Sequence, residues 1–254
     1  MRKRETCAFC PATSDITREH IWDKWLVETL GPGKFTMVRK EIDGQIRKWQ
    51  KATLDWETKV VCRKCNSGWM SDLVNQNKLI AKDMILTGRE TVLEPTAVDT
   101  IAAYAFMKGV VADHSHENHE SFFTLSERHS FRQMLAIPNG VQMWLASLPF
   151  QHGLFKSMTI KAPFNTPNRF ELNVFTYGVG HLVIQVAASR WKRKALRRHA
   201  DPPSLTQGSE WDALSIPFWP NRMRSFSWPP AAHMSLDVCE NFIKRWTSMK
   251  IGWQ

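Results

Sequence analysis

The sequence predicts an α+β fold in two units that divide near residue 90. Two Cys-x-x-Cys pairs enclose a mixture of strand and helix patterns within residues 1–90. Residues 91–254 contain helix patterns followed by successive β-like segments, which indicate an antiparallel sheet. A chain of 254 residues is long enough to bury a core without disulfides.

The first unit changes its hydrophobic period several times. "DITREH" is extended, and the following apolar residues recur at helical spacing until Gly31-Pro32-Gly33 ends the helix. Two β-rich runs flank Asp43-Gly44, which is a strong hairpin signal. "LDWETKVVC" predicts another strand, and a helix is expected from Asn66 to about Thr87, before Gly88.

The second unit begins with helices and continues with strands. Helices are predicted over 95–113 and 124–136, and a terminal helix from Ser235. Between them lie four β-like segments: "VQMWLASL", "FKSMTIKA", "FELNVFTYG" and "HLVIQVAAS". We expect these segments to form the antiparallel sheet of an α+β domain whose role the sequence does not indicate.

The overall charge is strongly basic. The chain has 34 Lys and Arg against 24 Asp and Glu, a net charge of +10. Such a surface favours a polyanionic partner. The amino-terminal "MRKRETCAFC" has no apolar core of signal-peptide length, and no aliphatic run is long enough to span a bilayer. The expectation is a soluble cytoplasmic protein without a membrane partner.

Four of the five cysteines form the pairs Cys7-x-x-Cys10 and Cys62-x-x-Cys65. Two tight turns with two thiolates each supply the tetrahedral ligand set that zinc prefers. A thioredoxin-like redox pair is the alternative, but it requires a Cys-x-x-Cys at the start of a helix in a βαβ unit, which neither pair has. The pattern therefore predicts a structural zinc ion, with all four positions filled and no open position for substrate. Cys239 is predicted to be a small buried residue.

Three polar residues adjoin the cysteine pairs. Glu19 and His20 end the first strand, and Asn66 begins the helix after the second pair. If zinc joins the two turns, these side chains converge. A carboxylate and an amide oxygen suit Mg²⁺ or Mn²⁺, and a neutral histidine can take a proton from water near pH 7. The predicted chemistry is phosphodiester hydrolysis, with His20 activating water and a metal held by Glu19 and Asn66 stabilising the phosphate and the leaving oxygen.

This combination of motifs, C-x-x-C, an acid-His pair and C-x-x-C-N leading into a helix, resembles the zinc-stapled branch of the HNH (ββα-metal) endonucleases. The resemblance covers the first seventy to ninety residues. It implies a ββα-metal domain in which His20 is the general base, Glu19 and Asn66 bind the catalytic Mg²⁺ or Mn²⁺, and Cys7, Cys10, Cys62 and Cys65 bind the structural zinc.

Two groups of basic residues are candidates for phosphate contact, which supplies affinity without sequence information. A solvated surface is the alternative explanation of such charge runs. The first group lies on the predicted hairpin and the second follows the last β-like segment: Arg39, Lys40, Arg47 and Lys48; and Arg190, Lys192, Arg193, Lys194, Arg197 and Arg198.

The functional hypothesis is a metal-dependent endonuclease, with DNA as the expected substrate by resemblance alone. Two alternatives stay open. One is a zinc-containing nucleic-acid-binding module without catalysis, and the other is an HNH nuclease directed at RNA. The sequence does not indicate an oligomeric state.

Overall fold

The structure is a computed structural model that describes residues 6–33, 35–40, 46–114, 121–161, 170–191, 205, 208–220 and 224–247. For residues 35–40, 46–48, 150–161 and 170 the description is confined to the backbone. It is a mixed helical and sheet structure in which all paired strands are antiparallel, so the predicted α+β class is confirmed at this level.

The first unit is built around two strands that are distant in sequence. β1 (Ile16–His20) pairs with β4 (Glu57–Cys62), and α1 (Lys24–Leu30) lies between them in the chain. β2 (Phe35–Lys40) and β3 (Ile46–Lys51) form the predicted hairpin; Asp43 and Gly44 lie outside the described residues. The hairpin thus accounts for the long separation between the two cysteine pairs.

The helix after the second cysteine pair is interrupted near its start. The short turn α2 (Arg63–Cys65) continues through a π-helical segment (Asn66–Met70) into α3 (Ser71–Thr87). Gly68 has non-helical dihedral angles inside this segment. α3 ends as predicted at Gly88, whose φ of 66° is the left-handed conformation that glycine adopts without strain.

The predicted helix over 95–113 is the central helix of the molecule. β5 (Thr91–Leu93) leads into α4 (Pro95–His114), in which every residue over 101–113 is buried. A helix that is apolar on all sides is a core helix. α5 (Leu125–Met134) follows and begins with a capping box between Thr124 and Glu127.

The four β-like segments form two long strands instead of four short ones. β6 (Val141–Lys161) and β7 (Phe170–Trp191) pair along their length, with a register irregularity between Ser147 and Leu154. β8 (Ser215–Trp219) pairs with the other edge of β6, which gives the strand order β7-β6-β8.

The remaining elements cover this sheet. β9 (Phe226–Trp228) pairs with β5, and α6 (Leu236–Lys244) begins at Ser235 as predicted, since the Ser235 side chain accepts a hydrogen bond from the Val238 amide. α6 packs on the sheet through a smaller apolar cluster that includes Trp144 and Phe242.

The main core is shared by both predicted units. One continuous buried cluster contains Phe9 and Val61 from residues 1–90 together with Phe106, Phe131 and Tyr177 from residues 91–254. The division near residue 90 stays a prediction about chain organisation, but the two parts do not have separate hydrophobic cores. Among the described residues, no helix has the length and apolar character needed to cross a bilayer.

Candidate functional site

The four cysteines predicted to bind zinc, Cys7, Cys10, Cys62 and Cys65, lie together and are all buried. Their sulfur atoms lie within 4.8 Å of one another, and the Sγ atoms of Cys10 and Cys62 are 3.5 Å apart. We call this group the cysteine cluster. Two sulfurs each about 2.3 Å from a tetrahedral zinc ion are about 3.8 Å apart, so the observed spacing fits zinc.

The thiols of the cysteine cluster differ in acidity. A hydrogen bond from the Cys65 thiol lowers the pKa of Cys7 to about 4, against the opposing effect of burial, while the same bond raises the pKa of Cys65 and burial raises the pKa of Cys10. The Phe9 amide also donates to the Cys7 sulfur. Thiolate is the form that binds zinc. The cluster is therefore compatible with a structural metal such as zinc.

The cysteine cluster is fixed to the rest of the core by the residues between its cysteines. Phe9 is fully buried and packs edge-on against Trp69, at a centroid distance of 5.0 Å, and against Phe131 of α5. The guanidinium of Arg128, also on α5, donates to the Ala8 carbonyl. The first cysteine turn is thus an integral part of the core and not an appended loop.

His20 lies at the exposed end of β1, beside two carboxylates. Its Nδ1 is 3.3 Å from Asp55 Oδ1 and its Nε2 is 3.2 Å from Glu57 Oε1. One ligand atom from each of the three side chains lies within 4.8 Å of the other two. We call His20, Asp55 and Glu57 the His20 cluster. Its side chains are 27%, 49% and 28% exposed, so solvent and ligands can reach it.

The strand register explains why these residues meet. His20 is directly opposite Glu57 in the β1–β4 pair, and Asp55 precedes the strand by two residues. Directly opposed side chains in an antiparallel pair have Cβ atoms about 5 Å apart. Backbone pairing therefore brings His20 and Glu57 close together, and only the orientation of the carboxylates depends on side-chain rotation.

Glu19 lies in a different environment from His20, although the two are adjacent. Successive side chains on a strand point to opposite faces, and Glu19 faces the core. Its Oε1 accepts a hydrogen bond of 2.8 Å from Lys108 Nζ, and the Lys108 side chain is only 1% exposed. Glu19 does not belong to the His20 cluster. Its predicted role as a metal ligand stays a prediction, and its observed partner is a buried lysine.

Lys108 connects β1 to α4 through several bonds. Its Nζ also lies 2.7 Å from Asp23 Oδ1 and donates to the His20 carbonyl over 2.8 Å. Tyr104 donates its hydroxyl to Asp23 Oδ2. We call Glu19, Asp23, Tyr104 and Lys108 the Lys108 network. Burial alone would lower the pKa of Lys108, but the Asp23 and Glu19 carboxylates outweigh it and raise that pKa, so the lysine is charged.

Asn66 joins the helical segment to β1. Its Nδ2 donates to Thr17 Oγ1 at 3.1 Å and to the Arg18 carbonyl at 2.9 Å. These contacts place Asn66 next to β1, the strand that carries Glu19 and His20; the predicted convergence of the three side chains stays a prediction. They also give Asn66 a structural role, because its side-chain amide donates a hydrogen bond to a backbone carbonyl of the strand. Its role as a metal ligand stays a prediction.

The predicted basic surfaces are described only in part. In the β2–β3 hairpin, Arg39 is directly opposite Arg47, and Lys48 is opposite Val38. The Arg190 side chain makes contacts within the fold. It forms an ion pair with Glu171 at 3.1 Å, and its guanidinium lies 4.2 Å from the centroid of the Phe122 ring. The other basic residues of its group lie outside the described residues: Lys192, Arg193, Lys194, Arg197 and Arg198.

Sequence reasoning assigned no site role to Asp55, Glu57 or Lys108. The two acids flank Trp56. Placing them beside His20 requires the register between β1 and β4, and these strands are about forty residues apart in the chain. Lys108 had a clearer signal. It is the only charged residue in the run "IAAYAFMKGVVA", and a lysine inside a fully buried helix requires an acidic partner.

No protein-family model, curated protein or solved structure matches this chain.

Proposed function

We propose that this chain is a metal-dependent endonuclease of the HNH type, which hydrolyses phosphodiester bonds, with DNA as the expected substrate. The observation that carries the proposal is the placement of His20. It lies at the exposed end of an antiparallel strand pair that continues directly into a helical segment, and the cysteine cluster fastens the other end. This order of strand, strand and helix is what the resemblance implies.

Each part of the site has a chemical task in this proposal. Zinc in the cysteine cluster holds the two strands and the helix together and has no free coordination position. Hydrolysis depends on His20, to which the resemblance gives the role of general base. By resemblance, Glu19 and Asn66 bind Mg²⁺ or Mn²⁺, which stabilises negative charge on the phosphate. The bond from Lys108 to Glu19 Oε1 is compatible with this role, because ligating carboxylates are commonly hydrogen-bonded themselves.

The charge distribution supports a nucleic-acid substrate. The net charge of +10 attracts a polyanion. Basic residues also occur at several positions of the β2–β3 hairpin, where Arg39 and Arg47 are partners in the backbone register.

The test is cleavage of supercoiled plasmid, and in parallel of a structured RNA, by wild type and His20→Ala in Mg²⁺, Mn²⁺ or EDTA. We expect metal-dependent nicking that falls by about 10²- to 10⁴-fold in His20→Ala, the usual contribution of a general acid or base. The polymer that is cut distinguishes a DNA nuclease from an RNA nuclease.

His129→Ala is the matched control, since it removes another half-buried imidazole without touching the His20 cluster. Equal cleavage by wild type and His20→Ala, or cleavage that survives EDTA, would contradict the proposed site.

A zinc-containing binding module without catalysis is the second candidate. The basic composition favours it, since a net charge of +10 attracts a polyanion without requiring His20. Here His20→Ala would bind DNA as wild type does and neither protein would cut it. Reversing the charges of Arg193 and Lys194 tests the predicted contribution of that run: each lost phosphate contact reduces the salt slope of binding by about 0.9. An unchanged slope would mark these residues as solvated surface.

A further inference from the structure

The His20 cluster combines two carboxylates that lie close together with an imidazole between them. Asp55 and Glu57 each offer an oxygen within 4.8 Å of the other. Arg18 lies 3.5 Å from Glu57 but is 70% exposed, and such a surface ion pair is weakened by solvent. Lys51 lies beside Asp55 as well, and its Nζ donates to the Asp55 backbone carbonyl. Two carboxylates so close together still benefit from a further positive charge.

Hydrogen bonding to His20 does not meet this need. His20 Nδ1 and Asp55 Oδ1 are both shielded from solvent and face one another at 3.3 Å, yet within the described part of the chain neither makes a hydrogen bond. A ring N–H projects outward in the ring plane, so this carboxylate oxygen lies off the line on which it could accept that hydrogen. The two atoms are left in contact without a hydrogen bond between them.

The separations fit a bound metal ion. Ligand atoms about 2.1 Å from one ion lie about 3.0 Å apart at a right angle and about 3.4 Å apart at the tetrahedral angle. The distances of 3.3 Å from His20 Nδ1 to Asp55 and of 3.2 Å from His20 Nε2 to Glu57 involve different ring nitrogens, so one ion can use only one of these pairs directly. One ligand atom from each of the three side chains nevertheless lies within 4.8 Å of the other two. The partly exposed carboxylates can reorient around an ion, since backbone pairing fixes only their attachment points.

We propose that His20, Asp55 and Glu57 form a binding site for one divalent cation, of the class that accepts mixed nitrogen and oxygen ligands, with Mn²⁺ bound in preference to Mg²⁺ or Ca²⁺. Imidazole favours transition metals, whereas Mg²⁺ and Ca²⁺ prefer oxygen ligands. This ligand set differs from the Glu19 and Asn66 set of the resemblance.

The site does not require the proposed function, but its catalytic consequence rests on it. If hydrolysis takes place here, the bound cation would lower the pKa of a water molecule, whose proton would pass to solvent, and His20 would be a ligand of the ion instead of a general base. Loss of cleavage in His20→Ala is expected for either role. Metal binding separates them, because only a ligand is needed for it.

The experiment is titration of the full-length, zinc-loaded protein with Mn²⁺ alone, following the electron paramagnetic resonance signal of the free ion. One zinc ion per chain, with excess zinc removed by dialysis, keeps the cysteine cluster closed and leaves the His20 cluster free, and Mn²⁺ does not displace zinc from thiolates. We expect one tight site per chain. Asp55→Asn, Glu57→Gln and His20→Ala should each weaken it by at least tenfold, since even partners outside the ligand shell contribute about 10- to 100-fold.

Asp83→Asn is the matched control. It makes the same change at an exposed aspartate of α3 that is paired with Arg89, and Mn²⁺ affinity should not change. Circular dichroism of every variant verifies folding. A wild type without a stoichiometric Mn²⁺ site would overturn the proposal. So would a site that is lost in Asn66→Ala but retained in Asp55→Asn and Glu57→Gln, which would place the ion on the ligands implied by resemblance.

The outcomes also separate this site from the proposed function. Mn²⁺ binding that depends on the His20 cluster, without cleavage of either polymer, supports the site and contradicts the nuclease. Metal-dependent cleavage that is unaffected by Asp55→Asn and Glu57→Gln supports the nuclease and overturns the catalytic consequence drawn for this site, while Mn²⁺ titration of the same variants decides the site itself.

Discussion

The two ends of the β1–β4 pair carry the two candidate metal centres, and they are built differently. At one end Cys62, opposite Ile16, belongs to the buried cysteine cluster; at the other, His20, opposite Glu57, has a side chain that is 27% exposed. Five residue steps along β4 separate them, about 17 Å. One centre has four buried sulfurs, whereas the other has nitrogen and oxygen atoms on partly exposed side chains. Under the proposed function, the first centre contributes stability and the second the chemistry.

The Lys108 network lies on the core-facing side of β1, to which it is joined through Glu19. Its bond to the His20 carbonyl links the exposed centre to the buried helix α4. If this division of tasks is right, substitutions should cost progressively less free energy of unfolding from the cysteine cluster to the His20 cluster.

The largest effect is expected for Cys62→Ser. Removing one thiolate should release zinc, and structural zinc contributes about 10–16 kcal/mol in small zinc domains, so the native fold should be lost. Elemental analysis and thermal unfolding followed by circular dichroism measure both outcomes. Cys239→Ser is the control, because this buried cysteine of α6 lies outside the cluster and its variant should keep one zinc per chain. A folded, zinc-free wild type would contradict the expectation.

Lys108→Met should have the next largest effect. It leaves Glu19 and Asp23 buried without their cation, and breaking a buried ion pair in this way costs about 3–5 kcal/mol. Urea unfolding measures the change. Arg89→Met breaks the exposed pair with Asp83 and should cost at most about 1 kcal/mol. Similar costs for the two variants would mean that the network is not buried in solution.

Arg190→Met tests an intermediate case. Arg190 and Glu171 are partly buried, and a hydrogen bond to a charged group contributes about 1.5–3 kcal/mol. The same urea experiment applies, with Lys244→Met as the control at an exposed pair on α6. An unchanged stability together with weakened DNA binding would show instead that Arg190 contacts phosphate, as its place in the basic run predicts.

The smallest cost in stability is expected for His20→Ala, within about 0.5 kcal/mol, because the side chain is partly exposed and its Nδ1 makes no hydrogen bond. The zinc content should equal that of wild type. Only cleavage and Mn²⁺ binding should fall. Destabilisation by several kcal/mol would remove the contrast between the two ends and would make His20 a structural residue.

Local patterns predicted most of the elements. The apolar run over 95–113, the Asp43-Gly44 hairpin and the glycine after Thr87 each specify backbone conformation through neighbours in sequence, and each element lies where the pattern placed it. The four β-like segments were placed correctly but counted as separate strands. Continuous pairing between β6 and β7 carries each strand past the polar residues that separate the segments.

The candidate site was less predictable than the elements. His20 was assigned from its sequence motif, but Glu19 was assigned to the same centre although adjacent residues on a strand face opposite sides. Its buried partner, Lys108, is 89 residues away in the chain. Asp55 and Glu57 depend on a register that includes an irregularity between Thr17 and Arg18, and no local pattern specifies such a shift.

The sequence by itself determined the α+β class, the positions of most helices and strands, and the four cysteines that can hold a metal. These properties depend on periodicity, turn residues and the spacing of ligands within a turn. Only the tertiary structure decided which side chains surround His20, where the Glu19 carboxylate binds, and that the first ninety residues share a core with the rest. Contacts between distant parts of the chain depend on strand register and on which face of each element is buried, and neither is specified by neighbours in sequence.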